Sequence, residues 1–203
     1  MLDSRAGRPN VHKVAVLGEG GTGKTTLCKT YQRQRAFLDS FQTIAVEFHV
    51  IQMSVQSNQP VSFRDHETSE IHILQIWDLA GQRHFKNMGV FDKYCLGVEG
   101  ILACFDMTDI ETLYAIPEWL SFVPENVHRI LVGTKSDMTD FDDNETLHED
   151  VESIMDSCGF DQYIETSVTD VETVNAAFSA LLARMTGVNM TKISVSGQVP
   201  VKA

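Results

Sequence analysis

Residues 18 to 25 read Gly18-Glu19-Gly20-Gly21-Thr22-Gly23-Lys24-Thr25, a G-x-x-x-x-G-K-[ST] pattern directly after the apolar run Val14-Ala15-Val16-Leu17. These residue types suit a bound chain of phosphates. Glycines permit the dihedrals that turn successive N–H groups inward, and the resulting concave row of partial positive charge wraps an anion. A helix starting here would add its free N–H groups and the positive end of its dipole. Lys24 offers a mobile charge for the β and γ phosphates, and the Thr25 hydroxyl is a hard oxygen ligand for Mg²⁺.

Three later sites have chemistry that could complete this one. Asp78 ends the apolar run Ile71 to Trp77, where a carboxylate could help hold Mg²⁺ beside the Thr25 hydroxyl. Gly81 would let a backbone N–H approach a γ-phosphate closely, and the Gln82 amide could orient an attacking water. By itself D-x-x-G also fits an ordinary exit from a strand. Thr134-Lys135-Ser136-Asp137 follows the run Ile130 to Gly133. The Asp137 carboxylate has two acceptors that match the N1–H and N2–H₂ donors on one edge of guanine, an edge adenine does not present. Lys135 can pack its aliphatic stem along a base, and Thr134 can bridge loops with its hydroxyl. In isolation T-K-x-D equally fits an exposed turn. Glu165-Thr166-Ser167-Val168 follows Tyr163-Ile164, and the Val168 N–H could meet the guanine carbonyl.

Such residues need strands behind them and helices between them. Val46, Phe48 and Val50 alternate with Glu47, His49 and Ile51, which predicts a strand with the first set dry and one wet face. Ile71 to Trp77 predicts its hairpin partner. Ile101 to Phe105 and Ile130 to Gly133 are apolar throughout, as central parallel strands are. Thr26 to Arg35 predicts a helix, and Val171, Val174, Phe178, Leu181 and Met185 form one apolar stripe at helical spacing. This alternation predicts an α/β fold, a mostly parallel sheet with helices on both faces and ligands at the carboxyl ends of the strands.

At 203 residues and 43% hydrophobic content the chain suits one domain with its own core. Its net charge of −12 opposes nonspecific binding to nucleic acid, which needs a cationic face. Cys28, Cys95, Cys104 and Cys158 have no C-x-x-C spacing and read as reduced core thiols. No apolar run approaches the ~20 residues of a membrane span. His66, His72 and His84 lack clear metal-ligand spacing, and the acidic stretch Asp137 to Asp156 reads as a solvated face.

Four loops in this order, each after a strand, resemble the Ras superfamily of small GTPases over roughly Lys13 to Thr186. Thr43-Ile44-Ala45-Val46-Glu47-Phe48, Trp77, Phe85 and the stretch Gly100 to Thr108 look most like the Rab branch. The resemblance implies a P-loop NTPase G domain with a six-stranded mostly parallel sheet over residues 13–187, an N-terminal extension over 1–12 and a flexible tail over 188–203. It implies a switch that binds GTP and GDP and hydrolyses GTP slowly. Gly18 to Thr25 with Thr26 would hold the phosphates, and Thr25, Thr43 and Asp78 the Mg²⁺. Gly81 would sense the γ-phosphate, and Gln82 would be the catalytic residue. Thr134, Lys135, Asp137, Ser167 and Val168 would hold guanine. Gly20 and Gly21 occupy positions where side chains hinder hydrolysis. The expected partners are an exchange factor, a GTPase-activating protein and effectors that bind the switch regions, with the protein a monomer.

Several positions depart from that pattern. Leu79 replaces threonine, Arg83-His84 replaces Glu-Arg, Thr134 replaces asparagine as in Rho-type proteins, and Val168 replaces alanine. The aromatic that covers the base would fall at Ala36, so Phe37 would serve by a one-residue shift. The stretch Val55 to Ser69 carries extra length. Val188 to Ala203 holds no cysteine and only two lysines, so no direct lipid anchor is visible and a cytoplasmic location, with membrane recruitment through partners, is expected. An ATP-using P-loop enzyme and a noncatalytic guanine-nucleotide scaffold are the alternatives.

Overall fold

The computed structural model describes residues 9–35, 43, 45–57, 69–82, 89–139, 145–187 and 190–198. Among them seven strands form one sheet: β1 (Asn10–Leu17), β2 (Val46–Ser57), β3 (Ser69–Leu79), β4 (Gly100–Asp106), β5 (His128–Thr134), β6 (Gln162–Thr166) and β7 (Met190–Gln198). They lie in the order β6-β5-β4-β1-β3-β2-β7. The pairs β3–β1, β1–β4, β4–β5 and β5–β6 are parallel, whereas β2 runs antiparallel to both β3 and β7. All residues of β4 are buried, as its unbroken apolar run requires of a strand covered on both faces.

The helices are α1 (Lys24–Arg33), α2 (Phe91–Cys95), α3 (Glu111–Tyr114), α4 (Ile116–Leu120), α5 (Glu145–Cys158) and α6 (Val171–Thr186). Strand alternation divides the core in two. Val14, Val16, Ile76, Leu102 and Val132 pack under α1 and α6, where Tyr31 and Phe178 stack 3.9 Å apart. Ala15, Leu17, Ile101, Phe105 and Leu131 pack under α2 to α5, with Phe91, Trp119 and Val151. Cys28, Cys95 and Cys104 are buried, Cys158 is partly so, and all four are free thiols. No helix among the described residues is long and apolar enough to cross a membrane.

Two local features differ from the sequence expectations. The alternation of β2 has the opposite phase: His49, Ile51, Met53 and Val55 are buried, whereas Phe48 is 54% exposed. The buried set faces α1, and Phe48 instead meets the edge of Trp77 on the other face, with ring centroids 4.4 Å apart. The tail expected to be flexible supplies β7, so the six expected strands become seven. Ser54 pairs with Ser194 and Val55 with Ile193. The physical reason is the outer edge of β2, which would otherwise present a row of unpaired N–H and C=O groups, and the β-branched Ile193 and Val195 suit a strand there.

Candidate functional site

The turn from β1 into α1 is shaped by its glycines. Gly18 has φ +136°, and a Cβ there would lie 2.1 Å from the Cys104 carbonyl oxygen, so the chain can pass β4 only without a side chain. Gly23 is the N-cap of α1 in a left-handed conformation, with no capping side chain and no acidic residue in the first turn. The helix N-terminus therefore keeps its N–H groups and positive dipole end for an anion. The helix starts at Lys24, two residues before the expected start, and closes on a left-handed Gln34.

A cavity of about 420 Å³ opens at this turn, lined by Gly20, Gly21, Gly23, Lys24, Thr25, Thr26, Thr43, Leu79, Gly81, Gln82 and Lys135. Lys24 is only 6% exposed, and its ammonium donates to the Glu19 carbonyl at 2.6 Å. Burial lowers its pKa, and the Asp78 carboxylate opposes that shift. An entering phosphate would add the anionic partner such a buried ammonium favours. Glu19 does not line the cavity; its carboxylate accepts from Trp119 Nε1 at 3.2 Å. Across the loop, a Cβ on Gly81 would lie 2.4 Å from the Glu19 carbonyl carbon. The turn after β3 thus rests directly on the phosphate loop.

Three oxygens converge beside Lys24. Thr25 Oγ1 lies 2.6 Å from Thr43 Oγ1 and donates to Asp78 Oδ2 at 2.5 Å. Asp78 is fully buried, and burial pushes its pKa up to about 6. A donor set of two hydroxyls and a carboxylate is hard and all-oxygen, which fits Mg²⁺.

The loops after β5 and β6 meet the phosphate loop from the side. Thr134 Oγ1 lies 2.8 Å from the Thr22 carbonyl and 2.9 Å from that of Phe105. Lys135 is left-handed, with φ +61°, and its ammonium pairs with Asp106 Oδ2. Ser167 Oγ donates to Asp137 Oδ1 at 2.6 Å, which fixes the exposed carboxylate at the rim. Val168 follows Ser167 half-buried. Phe37 lies outside the described residues.

Residues 13–187 match the family model of the Ras family. The chain belongs to the Ras family of small GTPases. It is 31% identical to the Ras-related protein RABD2a of Arabidopsis thaliana over 176 residues, covering 84% of this chain and 78% of that protein. It is 31% identical to the GTP-binding protein YPTM2 of Zea mays, also over 176 residues, with the same coverage of 84% and 78%. Against the Ras-related protein Rab11A of Lotus japonicus the identity is 30% over 187 residues, or 90% of this chain and 75% of the other. The GTPase is thus close to the Rab branch, it binds guanine nucleotide, and its reaction is hydrolysis of GTP to GDP and phosphate. A noncatalytic scaffold is not favoured.

Sequence reading missed three partnerships within this GTPase. Asp106 holds Lys135, Trp119 holds Glu19, and His49 is buried beside Glu47 and Asp78. The first two join residues far apart in the chain, with no spacing to signal them. The third had a signal in Glu47-x-His49, two polar residues on one strand face, but the phase assigned to β2 turned that face toward water.

Proposed function

We propose that this GTPase is a GTP/GDP switch in which Thr43 and Gly81 sense the third phosphate and Gln82 orients the attacking water. The observation that carries this reading is the convergence of Thr43 and Thr25 hydroxyls at 2.6 Å, which joins the segment before β2 to the phosphate loop. Thr25, Thr43 and Asp78 would hold Mg²⁺, which when bound supplies positive charge against the phosphates. Lys24 and the amides of Gly20 to Gly23 neutralise charge on the transferring group. Asp137, held by Ser167, selects guanine, and Lys135 and Thr134 support it.

Loss of the γ-phosphate would release Thr43 and Gly81, so partners reading these two segments would distinguish the states. We assign the partners as an exchange factor, an activating protein and effectors, and the protein as a monomer acting in the cytoplasm with recruitment to membranes through partners. Similarity to Rab-named proteins supports a role in intracellular trafficking. Turnover should be slow alone and rise ~10³ to 10⁵-fold when an activating protein contributes an arginine, the range characteristic of Ras-like systems themselves.

Two measurements test the reading. Chromatography after denaturation should find guanine nucleotide copurifying, and ATP should fail to displace bound GDP where GTP succeeds. Single-turnover phosphate release should exceed the protein-free rate and fall in Gln82→Leu. Displacement by ATP would overturn the guanine assignment, and a rate indifferent to Gln82→Leu would overturn the role of that residue.

A further inference from the structure

We propose that Glu47, His49 and Asp78 form a second cation site, suited to a divalent metal that accepts imidazole nitrogen, such as Zn²⁺. One ligand atom from each residue lies within 4.8 Å of the other two. The sheet produces this cluster directly. Glu47 and His49 are two apart on β2 and share a face, and the β2–β3 register sets Asp78 opposite Glu47 on that face.

The imidazole carries the argument. His49 is 3% exposed, and its Nδ1 lies 3.4 Å from Gln32 Oε1. A hydrogen bond to the Gln32 amide oxygen requires the Nδ1–H tautomer, and in that tautomer Nε2 carries a lone pair. Nε2 is buried without a hydrogen-bond partner. An amide oxygen on one ring nitrogen and a free lone pair on the other is the arrangement in which histidine ligates metal.

The carboxylates complete the donor set. Asp78 gives Oδ2 to Thr25, while its Oδ1 is buried with no partner. Glu47 pairs through Oε1 with Lys29 at 3.1 Å, and Oε2 is its remaining donor. One imidazole and two carboxylates match Zn²⁺, whereas the all-oxygen set of Thr25 and Thr43 matches Mg²⁺. Asp78 would then bridge the two sites with its two oxygens. The second ion would clip β2 to β3 just beyond Thr43, at the base of the segment that senses the nucleotide.

The site is tested on the full chain, incubated with GDP and saturating Mg²⁺, by calorimetric titration with Zn²⁺ and by the visible spectrum of Co²⁺ in its place. One equivalent should bind, with a cobalt spectrum lacking thiolate charge-transfer bands. His49→Gln should abolish uptake, and Glu47→Gln, at the half-exposed rim where misfolding is a smaller risk, should weaken it at least tenfold. GDP retention in the same samples scores the nucleotide reading separately. Absence of uptake, uptake unchanged in Glu47→Gln, a thiolate spectrum, or loss through His12→Gln instead would each overturn the proposal.

Discussion

The Thr134 hydroxyl lies 2.8 Å from the Thr22 carbonyl and so joins the loop after β5 to the phosphate loop. The same oxygen is 2.9 Å from the Phe105 carbonyl on β4, and Thr134 is 4% exposed. One buried hydroxyl therefore lies between the loop after β5, the phosphate loop and β4. Beside it, Asp106 receives hydrogen bonds from Lys135 and Thr108, which outweigh burial and lower its pKa. Asp106 at the end of β4 thus holds the loop after β5 through Lys135.

Thr134→Val keeps the shape and removes the donor. The hydroxyl has one proton to give, so its loss leaves a buried carbonyl without its donor, which should cost about 1–3 kcal/mol of stability. Because the lost contact spans the phosphate and base loops, GDP release should also quicken. Chemical denaturation and the dissociation rate of a fluorescent GDP check the two effects. Lower stability with an unchanged off-rate would show that the bridge serves the fold alone.

Asp137→Asn replaces one acceptor oxygen of the carboxylate with a donor NH₂ group. If Asp137 reads guanine, the N2–H₂ group then meets a donor, and two charge-assisted hydrogen bonds worth ~1.5–3 kcal/mol each are compromised. GDP affinity should fall by at least about 100-fold, while Ser167→Ala, which only frees the carboxylate held at 2.6 Å, should cost a few-fold. Equilibrium titration with both variants separates the groups. A larger effect from Ser167→Ala than from Asp137→Asn would contradict the assigned roles.

Six of the seven strands and the four loops were readable because each depends on local rules. An unbroken apolar run marks β4, and glycines with a lysine and threonine mark the turn into α1. The burial of His49 and the exposure of Phe48 were not readable, because a period of two fixes which residues share a face but not which face meets the core. That depends on α1, which brings Lys29 to Glu47 and Gln32 to His49. The strand formed by Met190 to Gln198 was equally nonlocal, since its reason is the unpaired edge of β2. The Ser167–Asp137 bond joins loops 30 positions apart and becomes visible only when β5 and β6 pair.

At the other end of β1, His72 is buried and stacks on His12 with ring centroids 5.3 Å apart. His12 also meets Glu99 at 2.8 Å, and His72 meets Glu70 at 3.5 Å. Burial, then the neighbouring His12, lowers the pKa of His72, and Glu70 only partly opposes them. The unfolded chain, with an ordinary histidine near pH 6.5, thus binds the proton more readily than the folded one. This contribution to stability is complete above that pH and is lost as the pH falls through and below it. Urea unfolding at about pH 7.5 and about pH 5.5 should show weaker folding at the lower value, and His72→Gln should reduce the difference. An equal pH dependence in the variant would remove His72 as its source.

The three heavy atoms nearest an added Cβ on Gly81 are all backbone, among them the Glu19 carbonyl carbon at 2.4 Å and the Gly20 nitrogen at 2.5 Å. Neither atom can swing aside as a side chain could, so Gly81→Ala must push the turn after β3 away from the phosphate loop. If Gly81 touches the third phosphate, the variant should bind a nonhydrolysable GTP analogue at least about tenfold more weakly, roughly 1.4 kcal/mol, with GDP affinity nearly unchanged. Gly20 gives a graded companion, because its added Cβ would be 3.4 Å from the Gly81 carbonyl oxygen and 4.0 Å from Gln82 Cγ. Gly20→Ala should leave nucleotide binding nearly intact, whereas Gly20→Val should displace Gln82 and slow single-turnover hydrolysis. Equal loss of GDP and GTP analogue in Gly81→Ala would mean that the glycine maintains the loop and does not report the third phosphate.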